Sequence, residues 1–335
     1  MSPEPPTVPG SVALVFPGQG SQYAGMGRDL CEQYPAARAV FEEADAVLGF
    51  PLSELCFGGP EEELNDTANA QPAVLTMSVA ALEVFKEKTG GLTPAFVAGH
   101  SLGEYTALHA GGVLDLAASV RLVRERGRVM KAAGEKHPGA MAAVLGMEAE
   151  ALQALCEEVG EVWVANDNCP GQVVVSGSKP ALERALQLAA TRGAKKTVPL
   201  AVSIAGHSPL MASAAEAFAP TVNRLPLARA EIPLVANVTA LPLSEPAQIR
   251  QEMLQHLTSG VRWVDSVRYM VGQGVRTFVE IGPKDILSGL IRRIAGATRP
   301  SPLLGDRSVR TVHVGTVADV EALALAFGEA HGVGE

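Results

Sequence analysis

No stretch of this chain approaches the roughly eighteen uninterrupted apolar residues that a membrane-crossing helix requires, so no span is expected. Positive charge is in the minority: 27 Lys and Arg stand against 36 Asp and Glu, a formal net charge of −9. A nucleic-acid binder concentrates basic residues on one face, and this balance argues against such a partner. Cysteine is scarce, and Cys31, Cys56, Cys156 and Cys169 form neither a CxxC pair nor a metal-ligand spacing. They read as thiols in a reducing cytosol, with no metal site. The opening Met1-Ser2-Pro3-Glu4-Pro5-Pro6 lacks the basic and apolar regions of a signal peptide, so it reads as a disordered lead-in and a cytoplasmic location is expected. What remains, 47% hydrophobic and 19% charged over 335 residues, is a soluble globular protein with room for one large domain or two.

Short apolar runs mark buried strands at Val12–Phe16 and Ala95–Ala98, and helical spacing marks residues 36–48, 73–88 and 114–133. The pattern then changes. Strands at 140–146, 162–165, 172–176 and 196–200 and helices at 148–159 and 180–192 follow the order β-α-β-β-α-β, the ferredoxin-like plan. The segment Asn166–Gly171 reads as a turn inside it. Parallel-sheet features then resume, with helices near 211–225 and 248–256 and strands at 233–238 and 276–281, so the unit looks inserted. Elements after about Arg299 are hard to read, and a loosely attached tail is expected.

The most informative segment is Phe96-Val97-Ala98-Gly99-His100-Ser101-Leu102-Gly103-Glu104. An apolar strand, Gly-x-Ser-x-Gly and a helix of good formers make a nucleophile elbow, a sharp turn that lifts a serine hydroxyl into the open. The helix N-terminus favours developing negative charge, which suits acyl transfer through a seryl ester. An N-cap serine on an ordinary helix is the bland alternative.

Such a serine needs a base. His100 adjoins it and must leave the turn in another direction; His109 lies two helical turns on, about 12 Å along the axis. His137 precedes a loop proline, and His313 and His331 fall in the C-terminal stretch. His207 follows the inserted unit and precedes a helix, where an open sheet presents functional residues, so elimination favours it. No aspartate stands out to orient it, but a backbone carbonyl can hold the imidazole instead. The backbone N–H of Gln19, in the loop after the first strand, is placed to face that of Leu102 as an oxyanion hole. Gly18-Gln19-Gly20 is not a dinucleotide loop, because Tyr23 occupies the third glycine position. Arg121, Arg124, Arg126 and Arg128 share one helix; most suit a solvated face, and one turned inward can grip a carboxylate, but spacing does not choose which.

Taken together, Phe16–Gln22, Gln71-Pro72-Ala73, Gly99–Tyr105, Arg124–Met130, Gly139–Ala143, Asn166–Val173, His207–Met211 and Glu280–Pro283 resemble, in order, the malonyl-CoA:acyl carrier protein transacylases of fatty acid synthesis and the acyltransferase domains of polyketide synthases. The resemblance implies an α/β fold: a large α/β-hydrolase-like domain with a parallel-sheet core (1–135 and 203–335), interrupted by a ferredoxin-like subdomain (136–202), with the site between them. It implies Ser101 as nucleophile, His207 as base, Arg126 on the malonyl carboxylate, and Gln19 and Leu102 as oxyanion donors. The family orients its histidine by a backbone carbonyl at the position of His256, usually glutamine. Malonyl-CoA and an acyl carrier protein are the implied substrate and partner, with no cofactor, no metal, no nucleic acid and no membrane, and a monomer is expected. Gly206 departs from the pattern: malonyl-selecting members carry Phe there and others Ser, so this acyl pocket is expected to be roomier, while Leu102 still points to malonyl.

Arg192–Lys196 and Arg292-Arg293 are candidate docking patches for an acidic carrier, or simply solvated charge. Three rival readings remain at this level: a serine esterase or thioesterase on the same elbow, a trans-acting polyketide acyltransferase with broader acyl choice, and a non-catalytic scaffold subunit.

Overall fold

Apolar runs too short for helices and too continuous for one-sided strands belong in the middle of a parallel sheet, and that is where this chain puts them. The computed structural model describes residues 11–297 and 308–328. Its strands, in chain order, are β1 (Ser11–Phe16), β2 (Phe96–Gly99), β3 (Gly139–Leu145), β4 (Val162–Cys169), β5 (Gln172–Ser178), β6 (Lys196–Pro199), β7 (Leu234–Val235), β8 (Pro242–Leu243), β9 (Val275–Ile281) and β10 (Arg310–Val314). The larger sheet runs β10-β9-β1-β2-β7-β8 and is parallel except for the antiparallel edge pair β7–β8.

Alternate residues of β1 feed two different cores. Val12, Leu14 and Phe16 join the cluster formed with the helices Pro35–Leu48, Thr67–Lys88 and Leu116–Lys136. Ala13 and Val15 face the helices Trp263–Gly272 and Ile286–Ala297, packing with Trp263, Val267, Leu287 and Ile291. The second sheet, β4-β5-β3-β6, is antiparallel throughout, and the helices Ala149–Val159 and Lys179–Thr191 share its apolar cluster. Among the described residues, no helix is long and apolar enough to cross a membrane.

Three sequence expectations need correction. The turn expected at Asn166–Gly171 is mostly strand: β4 runs on to Cys169 and only Pro170-Gly171 turns. Two register irregularities, after Val164 and after Asp167, let these polar residues stay in the ladder, and Asn166 also bridges to Val261. The strand expected at 233–238 pairs only at Leu234–Val235, because the backbone of Asn237 and Val238 bonds instead to buried carboxyl groups of Glu104 and Glu252. The tail is not merely appended, since β10 is an edge strand of the main sheet, parallel to β9, and is followed by the helix Val317–Gly328. The Met1–Pro6 lead-in and His331 lie outside the described residues.

What positions the site is the pairing of β1 with β2 in register, Phe16 opposite Gly99. The loops that follow the two strands leave the same edge side by side. Contact there is so close that a Cβ on Gly103 would overlap the Phe16 carbonyl, and one on Gly99 would overlap the backbone of Gly103. Both glycines of the Gly-x-Ser-x-Gly segment are therefore demanded by packing of helix on strand. Gly103→Ala is expected to destabilise the fold by about 3 kcal/mol, the upper range of overpacking, seen as a lowered thermal midpoint; an unchanged midpoint would mean that the two elements separate freely.

Candidate active site

Ser101 sits between β2 and the helix Gly103–Ala110 with φ of 51°, a left-handed conformation that a non-glycine residue adopts only when its surroundings impose it. Asn237 imposes it here. Its Oδ1 accepts from the Ser101 N–H at 2.7 Å, its Nδ2 donates to the Gly99 carbonyl at 2.7 Å, and its own N–H donates to Glu104 Oε2 at 2.7 Å. The Asn237 side chain thus satisfies the Ser101 N–H and the Gly99 carbonyl, which the strained turn would otherwise leave unpaired.

His207 also has a positive φ, 59°, and brings Nε2 to 2.7 Å from Ser101 Oγ. Its Nδ1 faces two carbonyl oxygens, His256 O at 3.1 Å and Ser259 O at 3.0 Å. A nitrogen between two acceptors carries the hydrogen, which leaves the Nε2 lone pair for the serine hydroxyl. Burial first, and the Arg126 guanidinium second, pull this imidazole down to about 3. The same causes, with His207 added, hold His256 well below the ordinary histidine range. Both rings are neutral near pH 7.

Of the four helix arginines, Arg126 turns inward and is 1% exposed, while Arg121 and Arg128 face solvent and Arg124 bonds to the Ala68 carbonyl at 2.6 Å. The Arg126 Nη1 donates to Gln71 Oε1 at 2.9 Å, and Nη2 reaches Ser101 Oγ at 3.3 Å and His256 Nδ1 at 3.4 Å. Its guanidinium also lies over the Tyr105 ring, 5.2 Å from the centroid. Gly127 makes this possible: a side chain there would press on Thr67 O at 2.5 Å and hold apart the two helices that bring Gln71 to Arg126. Among the described residues no carboxylate forms an ion pair with Arg126. Glu104, buried nearby, is raised well above the usual carboxyl range by burial and by Glu252, which is itself pushed up to about 7 by burial.

Gln19 follows β1 and Leu102 follows Ser101, on neighbouring loops. Among the described residues neither backbone N–H donates to a backbone or side-chain oxygen. The Gln19 side chain is tied back to Thr67 Oγ1 at 3.2 Å. A cavity of about 600 Å³ opens over Ser101, Arg126 and His207, walled by Met130, Met141, Ile204 and Gly206 and bordered by Asn166 of the second sheet. The other described histidines bond elsewhere: His100 lines the cavity but turns its Nε2 to Asn168 Oδ1 at 2.8 Å, His109 bonds to Leu114 O at 3.1 Å, His137 is exposed and His313 pairs with Asp319 at 3.2 Å. Among the described residues no group of three or more His, Cys, Asp or Glu is arranged to hold a metal.

Sequence reasoning missed Asn237, Ser259 and the role of Gln71. Asn237 and Ser259 carry no local pattern, being 136 and 52 positions from the residues they hold. Gln71 was visible only as part of a short motif, with nothing to say what it held.

The fold and the site together define an α/β enzyme with a serine–histidine pair beside a buried arginine. The chain belongs to the acyl transferase domain family, which matches residues 13–300, and within it to the family of the malonyl CoA-acyl carrier protein transacylases. It is an acyltransferase. One such transacylase, from Bacillus subtilis (strain 168), is 45% identical over 320 residues, covering 94% of this chain and 96% of the relative. The structure of an acyl carrier protein S-malonyltransferase from Vibrio cholerae superimposes with a TM-score of 0.87 at 40% identity, covering 93% of this chain and 99% of the other. A malonyl-transacylase solved in complex with its type II PKS acyl-carrier protein gives 0.88 at 39% identity, covering 94% and 99%.

The depressed imidazole has a consequence that pH reads directly. The His207 proton leaves as pH rises through about 3, so the neutral base is already present at pH 5. The kcat/KM for acyl loading is expected to stay level from about pH 8 to about pH 5, without the inflection near 6.5 of an ordinary histidine. Rapid-quench acylation across that range checks it; a half-loss near 6.5 would mean that neither burial nor Arg126 acts on the base.

Proposed function

We propose that this acyltransferase moves a malonyl group from malonyl-CoA to the phosphopantetheine thiol of an acyl carrier protein, through an ester on Ser101. The observation that carries the reading is Arg126: a buried guanidinium that, among the described residues, has no carboxylate partner, with Nη2 3.3 Å from Ser101 Oγ. A buried cation is costly unless an anion completes it, and a substrate carboxylate does so bidentately. The names of the relatives and the carrier-bound neighbour support the same substrate and partner.

Each half-reaction uses one set of atoms. His207 Nε2 takes the Ser101 proton, Oγ bonds to the thioester carbonyl carbon, and the oxyanion is held by the Gln19 and Leu102 N–H groups. The C–S bond then breaks and the leaving sulfur takes the proton from His207. The carrier thiol enters, gives its proton to His207, and the steps run in reverse to release the serine. The His256 and Ser259 carbonyls keep the imidazole in the tautomer this requires and stabilise its protonated form.

The same reading takes 1–135 and 203–335 as one α/β-hydrolase-like domain and 136–202 as a ferredoxin-like insert. The strand order β4-β5-β3-β6, with its two helices in one apolar cluster, supports the latter. It further takes the enzyme as a cytoplasmic monomer that needs no cofactor beyond its acyl donor.

Mixing the protein with malonyl-CoA is expected to add one malonyl mass at Ser101, absent in Ser101→Ala, and intact-mass spectrometry checks it. Arg126→Ala is expected to slow malonyl loading by ~10²-fold or more relative to acetyl loading, the cost of leaving a buried carboxylate unpaired. Equal loss for both acyl groups would instead favour the esterase reading. Gly206 favours broad acyl choice, since the nearest atom to a Cβ added there is Met141 Sδ at 3.5 Å. Methylmalonyl-CoA is therefore expected to compete for loading, and Gly206→Phe to suppress that competition by about 10–200-fold, the range for one methylene of discrimination; identical loading ratios in both proteins would refute the role of this wall.

A further inference from the structure

We propose that the imidazole of His256 is a positioning residue for the Arg126 guanidinium, and through it a determinant of the preference for acyl groups that carry a carboxylate. The proposal rests on the acyl-transfer reading above and adds a second role to a residue whose backbone already serves the base. His256 follows directly on the helix Pro246–Gln255. Its carbonyl accepts from His207 Nδ1, whereas its ring turns toward the other arm of the site and accepts from Arg126 Nη2 at 3.4 Å.

The chemistry of the pair allows only one arrangement. A guanidinium has five donors and no acceptor, so the contact requires Nδ1 of His256 to be the bare nitrogen and Nε2 to carry the hydrogen. That Nε2–H has no hydrogen-bond partner among the described residues and faces Glu104 Oε2 at 3.8 Å. The ring is 1% exposed, edge-on to Tyr105 at 5.5 Å and 90° and to His207 at 5.3 Å and 79°. An imidazole packed this tightly has one rotamer available, so its lone pair is a fixed mark for Arg126. Gln71 Oε1 fixes Nη1 in the same way. The two acceptors hold opposite ends of the guanidinium, and its plane stays set when an incoming carboxylate displaces the contact to Ser101 Oγ. With no acceptor at 256, Nη2 keeps, among the described residues, only Ser101 Oγ as acceptor, and a substrate carboxylate must orient the guanidinium as it binds.

The test compares side chains at a position whose carbonyl is present in every variant. H256L removes the acceptor, H256M leaves only a weakly accepting thioether on an unbranched side chain, and H256N returns an amide oxygen close to where Nδ1 stood. The readout is the ratio of kcat/KM for malonyl-CoA to that for acetyl-CoA in Ser101 loading. Both rates come from one preparation, so the ratio does not depend on the fraction folded. The ratio is expected to fall by roughly tenfold to a hundredfold in H256L and H256M, the worth of a hydrogen bond to a charged group, mainly through KM for malonyl-CoA. H256N is expected to recover most of it. Proportional losses for both acyl groups, a ratio preserved in H256L and H256M, or no recovery in H256N would overturn the proposal. A wild-type protein that takes up no malonyl at Ser101 would reject the acyl-transfer reading itself; normal wild-type loading beside an unaltered ratio in the variants rejects only the role of His256.

Discussion

Everything in the site hangs from the contact between two parallel strands and the helix that follows one of them. Because Phe16 lies opposite Gly99 and the backbone of Gly103 sits against the Phe16 carbonyl, the loops after β1 and β2 have only one way to leave the sheet. That brings Gly18 against the His100 carbonyl, puts Gln19 and Ser101 on the same cavity, and commits Ser101 to a conformation which Asn237 then stabilises through both the entering strand and the turn. The central strands are buried on both faces, so this edge cannot shift without disturbing two cores at once.

The electrostatic design follows from burial. Two imidazoles, two carboxyl groups and a guanidinium are withdrawn from water within one region, and a low-dielectric surrounding penalises each charge unless something compensates it. The imidazoles resolve this by staying neutral and the carboxyl groups by holding their protons more tightly. Arginine alone cannot neutralise itself, because its guanidinium stays protonated even when burial lowers its proton affinity. One positive charge is left facing the pocket, next to a neutral base. The guanidinium beside the His207 ring opposes a second positive charge there, so that imidazole keeps a free lone pair.

Much of the fold was legible because its signals are local. The runs that became β1 and β2, the elbow between β2 and its helix, and the β-α-β-β-α-β order of the second sheet are patterns within windows of a few tens of residues. The errors came where a tertiary contact overrode a local preference. Asn166-Asp167-Asn168 has turn composition yet stays in β4, where Asn168 bonds to His100 and Asn166 bridges to Val261. Asn237 and Val238 continue a run of strand composition yet leave the sheet, because their amides are needed by buried carboxyl groups.

The sequence by itself marked the strained turn that presents Ser101, since Gly-x-Ser-x-Gly between strand and helix is a short-range constraint on backbone shape. By elimination it also singled out His207, the histidine whose Nε2 lies 2.7 Å from Ser101 Oγ. Only the tertiary structure decided which of four arginines turns inward, which asparagine stabilises the elbow, and that the His256 ring as well as its carbonyl meets the site. Those choices rest on contacts between residues 49 to 136 positions apart for His207–His256 and Ser101–Asn237, respectively. Their geometry exists only once two helices cross at Gly127 and the strands align, and no periodicity along the chain encodes a distance across it.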